Sequence, residues 1–266
     1  MILFKFYGII VIGRGKLIMI NNVEEFMYEF MSSLYSMNTP IVFKGAMLLK
    51  VIQSNFGNPS GLVRETHDLD GDWVGNTPDM NYLTAILQRA VLNAGYLDVE
   101  VRPYREYSVG RSAGFSFVDL STGKEVTTMD LSICKNDFSC KYTLVTGVSF
   151  YGQSVNKIIA DKVQVCSKRT IMRRVKDIID LYILSYIWKG YYLDIVNVLN
   201  YLGRTLEDFY RFINNYNELE HAYSKYKNKA SILPFSQVYN RVRLFIEPFI
   251  RSVNYNLYWS GESWMK

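Results

Sequence analysis

Asp68-Leu69-Asp70, within Arg64-Glu65-Thr66-His67-Asp68-Leu69-Asp70, places two carboxylates on either side of one apolar residue. In an extended strand successive side chains alternate faces, so Asp68 and Asp70 share one side while Leu69 points to a core. The chain must therefore build a sheet with one buried and one polar face at this point. Two like charges side by side raise each other's pKa unless a cation lies between them. A divalent cation that prefers oxygen ligands, Mg²⁺ or Mn²⁺, meets that need.

The surrounding segments read as alternating helices and strands. Asn22 followed by Glu25 has capping-box form, and Val23, Phe26, Phe30 and Leu34 continue at helical spacing, predicting a helix over 22–36. Ile41-Val42-Phe43 reads as a buried strand, and Lys44-Gly45 turns into a helix from Ala46 to Phe56 that Gly57 stops. A strand, a glycine turn and a helix N-terminus together present backbone N–H groups to an anion. The Asp-bearing strand spans Arg64 to Trp73, and Thr77-Pro78 opens a helix to about Asn93.

Tyr96 to Tyr104, Ala113 to Leu120 and Glu125 to Ile133 are strand-like, the last two joined by Ser121-Thr122-Gly123-Lys124. Asp130 lies on the polar side of its strand, beside Thr128 and Ser132. Residues 143–151 add a further extended segment. From Ser154 the pattern becomes helical: 154–166, 169–188 and several more helices to 253, broken at Gly190, Gly203 and Pro234. The fold class is α+β: a mixed α/β domain over 20–152, then an all-helical domain over 153–266. Residues 1–19 are expected to be an over-called start or an edge strand. His67, Trp73, Tyr104 and Tyr151 are expected to pack in the core.

The bulk composition excludes several classes. Of 266 residues, 49% are hydrophobic and 21% charged, ordinary values for a globular protein. Cys134, Cys140 and Cys166 have no C-x-x-C spacing, and His67 and His221 are the only histidines. A disulfide framework, a structural zinc site and a multi-histidine mechanism are thus disfavoured, and a cytoplasmic location fits. No segment is long enough to span a membrane. The net charge of +5 suits an anionic partner such as a nucleotide or RNA without singling one out.

A second polar cluster lies downstream of Asp161-Lys162. Over 169–182, Arg169, Arg173, Lys176, Asp177 and Asp180 recur at three- and four-residue steps, with Val175, Ile178, Ile179 and Tyr182 opposite. One reading is a solvated, salt-bridged surface. The other is a cationic wall that grips a triphosphate.

In combination, Lys44-Gly45-Ala46-Met47-Leu48-Leu49, Arg64-x-Thr66-x-Asp68-Leu69-Asp70, Asp161-Lys162 and Arg173-x-x-Lys176-Asp177-x-x-Asp180-Leu181-Tyr182 resemble the AbiEii/AbiGii family of nucleotidyltransferase toxins. The matching segments run in order from about residue 41 to 184. The resemblance implies a nucleotidyltransferase-type mixed sheet followed by a helical domain, as in DNA polymerase β-like enzymes. It implies that Asp68 and Asp70 bind Mg²⁺ (or Mn²⁺), that Gly45 begins a phosphate-facing helix with Lys44 and Ala46 beside it, and that Arg64 and Thr66 shape the strand entrance. Lys162 would contact the phosphates of an NTP, aided by Arg169, Arg173 and Lys176, and Asp177 would be the acidic group of the helical motif. Ala46 departs from the wider superfamily, where a hydroxyl or glycine often follows the glycine. The third carboxylate is not fixed by motif: Asp130 is assigned, with Asp119 as the rival.

The resemblance further implies a toxin of a toxin–antitoxin or abortive-infection system, an RNA acceptor such as a tRNA 3′ end, and a winged-helix antitoxin encoded nearby. Two other readings stay open. The acceptor is a small molecule or a protein side chain, or the chain binds NTP without turning it over.

Overall fold

The computed structural model describes residues 5–6, 9–10, 22–57, 59–62, 66–108, 110–135, 137–226 and 233–266. Strands β1 (Lys5–Phe6) and β2 (Ile9–Ile10) pair antiparallel, and the remainder of the expected start segment lies outside the described residues. Then follow α1 (Val23–Ser36), β3 (Ile41–Lys44), α2 (Gly45–Phe56), β4 (Asp68–Val74), α3 (Met80–Asn93), β5 (Val99–Arg105), β6 (Ala113–Asp119), β7 (Lys124–Cys134), β8 (Ser139–Thr143) and β9 (Ser149–Gln153). Next come α4 (Val155–Ser167), α5 (Val175–Ile187), β10 (Gly190–Tyr191), α6 (Tyr192–Tyr201), α7 (Tyr210–Asn214), α8 (Tyr216–Ser224), α9 (Phe235–Ile250), β11 (Tyr258–Trp259) and β12 (Trp264–Met265). Seven strands form one mixed sheet in the order β5-β6-β7-β4-β3-β9-β8, in which β4 and β7 run parallel while β5-β6 and β6-β7 are antiparallel. Among the described residues no helix is long and apolar enough to cross a membrane.

By packing, the chain divides into two units whose segments interleave. The first comprises Met1–Phe43, His67–Lys135 and Thr146–Tyr151; the second comprises Lys44–Thr66, Asn136–Val145 and Gly152–Lys266. In this division Lys44–Thr66 and Asn136–Val145 group with the C-terminal segment.

In the first unit the period-two alternation places Leu69, Trp73, Phe115, Phe117, Met129 and Leu131 on a buried face. Helix α1 covers it with Phe26 and Phe30, whose rings meet Phe117 at 5.6 and 4.9 Å. Asn22 caps α1 as its sequence predicts, accepting the Glu24 and Glu25 N–H groups at 3.0 and 3.4 Å. Helix α3 begins later than Thr77-Pro78 suggests. Asp79 is its cap, accepting the Asn81 and Tyr82 N–H groups at 2.8 and 3.2 Å, because a carboxylate serves two orphan donors and favours the positive end of the helix.

In the second unit α5 packs against α9 and α4, with every residue from Asp177 to Ser185 buried. Two expectations are corrected here. The helix expected over 169–188 starts at Val175, because a 3₁₀ turn at Ile171–Arg173 precedes it, closed by the Arg174 N–H on the Ile171 carbonyl at 2.8 Å. The C-terminal region is not all-helical either: β10, β11 and β12 form an antiparallel sheet pairing Tyr191 with Tyr258 and Trp259 with Trp264. Strands of two residues are too short to show periodicity. An aromatic cluster packs with them, in which Trp259 and Trp264 lie 5.0 and 5.9 Å from Phe245.

Candidate functional site

The sequence-predicted carboxylates meet on the polar face of the first unit. Strands β4 and β7 pair with Asp68 opposite Thr128, Asp70 opposite Asp130 and Asp72 opposite Ser132. Partners in a parallel ladder point to the same side, and adjacent strands lie about 4.8 Å apart, so Asp70 and Asp130 leave the sheet as neighbours with Asp68 on the same face. Asp68 is exposed, Asp70 half-buried and Asp72 buried. Asp72 is a third member that the sequence reading passed over, although the alternation Asp68-Leu69-Asp70-Gly71-Asp72 was open to view. Asp119, the rival to Asp130, closes the β6–β7 turn instead. It accepts the Ser121 N–H at 2.8 Å and the Ser121 and Thr122 hydroxyls at 2.6 and 3.0 Å, and the Ser121 hydroxyl bond leads the effects that hold its pKa below the usual carboxylate value.

The same row continues across two more strands. Gly114 of β6 pairs with Asp130, and Arg105 of β5 pairs with Gly114. A register shift between Pro103 and Arg105 sets two β5 residues against one on β6, the arrangement of a β-bulge, which re-aims side chains. Arg105 and Tyr104 both reach Asp130 Oδ1, from Nη2 at 2.5 Å and from the phenol oxygen at 3.1 Å. Arg105 is anchored besides by its Nε on the Ser112 carbonyl at 2.7 Å and its Nη2 on the Ser112 hydroxyl at 2.8 Å. The Tyr104 ring lies across Gly114, where an added Cβ would sit 2.5 Å from Cζ. Burial, then Asp130, holds the Tyr104 phenol above its ordinary pKa, so it stays protonated and donates.

Tyr104 is thus 54% exposed rather than in the core. Trp73 packs as expected against Tyr82, and Tyr151 is half-buried against Tyr35. His67 is exposed, correcting its assignment to the core: it precedes β4, and its carbonyl takes the Thr127 hydroxyl at 2.6 Å.

Carboxylate oxygens from Asp68 and Asp70 are the donor type that a hard divalent cation prefers. Asp130 in this arrangement is not an open ligand, because a guanidinium already holds it. Among the described residues no group of three or more His, Cys, Asp or Glu side chains is gathered closely enough to hold a metal ion. By donor chemistry Asp68 and Asp70 suit a divalent cation, and Asp130 would join them only on release by Arg105.

The remaining candidates belong to the second unit, except that Arg64 lies outside the described residues. Gly45 opens α2 at φ 75°, a conformation that L side chains resist. Lys44 is the N-cap residue and supplies no side-chain hydrogen bond to the helix; Ala46 is buried and Thr66 half-buried. Lys162 donates to Asp177, and its Nζ also lies 2.8 Å from Asp180. Arg174 Nε reaches the other Asp177 oxygen at 2.6 Å. The Asp177 and Asp180 side chains are 0% and 2% exposed. Burial by itself would raise the Asp177 pKa, but Lys162 and Arg174 together hold it below the usual carboxylate range. Burial likewise opposes the charge on Lys162, and Asp180 and Asp177 overcome it. Two cations thus balance two anions in this network.

The expected single face of Arg169, Arg173, Lys176, Asp177 and Asp180 does not form. Arg169 and Arg173 precede α5, and Lys176 is exposed while Asp177 and Asp180 point inward. Arg169 instead lines an open cleft of about 540 Å³ with Lys168, Thr170, Glu207 and Asp208. Upstream on α4, Asp161 pairs with Lys157 at 2.5 Å and with Arg204.

No protein-family model matches the chain, and no curated protein sequence does. Among solved structures, JHP933 from Helicobacter pylori aligns over 87% of this chain and 91% of its own, with a TM-score of 0.50 and 16% identity. The MenT4 nucleotidyltransferase toxin from Mycobacterium tuberculosis aligns over 86% and 90%, with a TM-score of 0.41 and 11% identity. The CdnE cyclic dinucleotide synthase from Elizabethkingia meningoseptica aligns over 92% and 85%, with a TM-score of 0.27 and 11% identity. JHP933 is similar in fold; the lower scores of the other two establish no kinship.

Proposed function

We propose that the chain is a nucleotidyltransferase that moves NMP from an NTP to a hydroxyl of an RNA acceptor, the 3′ end of a tRNA, and that it acts as the toxin of a toxin–antitoxin system. The observation that carries this reading is the register of Asp70 with Asp130, with Asp68 on the same sheet face. The sequence resemblance supplies the reaction class, the acceptor, and a winged-helix antitoxin as partner. Mg²⁺, or Mn²⁺ in its place, would supply Lewis-acid stabilisation of charge on the phosphoryl oxygens when bound. Asp68 and Asp70 are the residues that would hold it. Asp130, once released by Arg105, would complete the cation's shell or accept the proton of an incoming hydroxyl. The N-terminus of α2, with Lys44, Gly45 and Ala46, offers backbone donors to phosphate.

The test uses α-³²P- and γ-³²P-labelled NTPs with total cellular RNA, protein and small-molecule fractions. Transfer of the α label to RNA, lost in Asp70→Asn with the fold retained, is the expected result. Label that enters only protein or small molecules would overturn the acceptor assignment. Undiminished growth arrest on expression of Asp70→Asn would overturn the enzymatic reading.

A further inference from the structure

We propose that Tyr104 and Arg105 form a clasp that competes with a divalent cation for Asp130, so that the bulge in β5 gates the cation-binding carboxylates. The proposal rests on the carboxylate reading given above and assigns two residues that the motifs do not contain.

Three observations support it. First, both side chains reach the same oxygen, Asp130 Oδ1, at 2.5 and 3.1 Å, which leaves a cation no route to that atom without displacing them. Second, Arg105 Nε is held separately by the Ser112 carbonyl, so the side chain keeps an anchor when Nη2 leaves Asp130. Third, the reach depends on a missing side chain. Gly114 lies between β5 and β7 in the row, and the Tyr104 ring occupies the space a Cβ would take. Arg105 also lies over the Tyr104 ring, 5.4 Å from its centroid. The Arg105 and Asp130 side chains are 26% and 42% exposed. A pair this accessible is weak enough to yield to a dication in water.

The experiment titrates the full chain with Mn²⁺ alone, reading free Mn²⁺ by electron paramagnetic resonance, with no nucleotide and no turnover. Arg105→Ala is expected to bind Mn²⁺ about fivefold more tightly than the wild type, the upper range for a part-exposed ion pair. Tyr104→Phe keeps the ring over Gly114, removes only the hydroxyl, and is expected to shift affinity in the same direction by a smaller factor. Binding by Arg105→Ala with none by the wild type also supports the clasp. Equal or weaker affinity in Arg105→Ala overturns the clasp and leaves the carboxylate reading standing. Binding that survives in Asp70→Asn removes that reading instead, and absence of binding in wild type and Arg105→Ala alike overturns both.

Discussion

Lys162→Met removes the ammonium set between Asp177 and Asp180 while keeping an unbranched chain of similar length. The two carboxylates that lose it are 0% and 2% exposed, so water cannot take its place without opening the packing. Arg174 still holds one oxygen of Asp177 at 2.6 Å, which limits the damage on that side. Breaking a buried pair by removing one partner costs about 3–5 kcal/mol. The retained Arg174 contact and the 14% exposure of Lys162 argue for the lower end, about 3 kcal/mol. Against a total stability of about 5–15 kcal/mol that is a large fraction, readable in urea unfolding followed by far-ultraviolet circular dichroism. The pH dependence gives a second readout. A carboxylate held below its unfolded pKa contributes stability above that unfolded value and loses it as pH falls through the folded one. In Lys162→Met burial acts on Asp177 against Arg174 alone, so acid unfolding should begin at a higher pH than in the wild type. Adding Asp180→Leu should recover about half of the loss, since an apolar replacement removes the stranded charge. A loss below about 1 kcal/mol with an unchanged acid midpoint would refute the buried network. It would also free Lys162 for the phosphate contact that the family resemblance implies.

Three further substitutions probe other parts of the fold. Gly114→Ala should push the Tyr104 ring outward and break its bond to Asp130, lowering stability by about 1 kcal/mol in thermal denaturation and tightening Mn²⁺ binding as Tyr104→Phe does. Retention of the wild-type Mn²⁺ affinity would count against the ring position. Gly45→Ala should lower stability by about 1–2 kcal/mol, because the helix opens at φ 75°; an unchanged urea midpoint would contradict that backbone. Arg241→Met removes a guanidinium that donates to the Ser185 hydroxyl and carbonyl at 2.9 and 2.8 Å, to the Glu262 carbonyl at 3.1 Å and to the Gly261 carbonyl, and that stacks 4.0 Å from the Tyr186 centroid. It should cost on the order of 3 kcal/mol and expose the segment carrying β11 and β12 to limited proteolysis. Proteolytic resistance equal to the wild type would show that the segment is held by its aromatic packing alone.

Local rules made much of the N-terminal half of the chain readable. Asn22 marks the start of α1, Gly45 and Gly57 bracket α2, and the alternation in β4 and β7 says which residues share a face. These signals act within one segment, so the sequence carries them whole. The spacing rule misled at Arg169 and Arg173, because three- and four-residue steps recur equally well through a 3₁₀ turn, and no capping side chain marks where α5 begins. The strands β10, β11 and β12 escaped notice because a two-residue strand has no period.

From the residues alone came the polar face: Asp68 and Asp70 must point together, and Asp130 must lie on the polar side of its own strand. Tertiary structure decided who stands next to whom. Pairing β7 with β4 at Asp70–Asp130 is a choice among registers that local sequence does not make, since it depends on burying Leu69, Met129 and Leu131 together on the opposite face. The same pairing, extended through Gly114 to the β5 bulge, brought Arg105 and Tyr104 onto Asp130. Across the chain, folding brought Lys162 between Asp177 and Asp180. Whether a charged side chain is open to a ligand or already neutralised depends on which opposite charge the fold carries to it. That partner is often distant in the chain, as Arg105 is from Asp130, which is why side-chain chemistry was legible in the sequence and its availability was not.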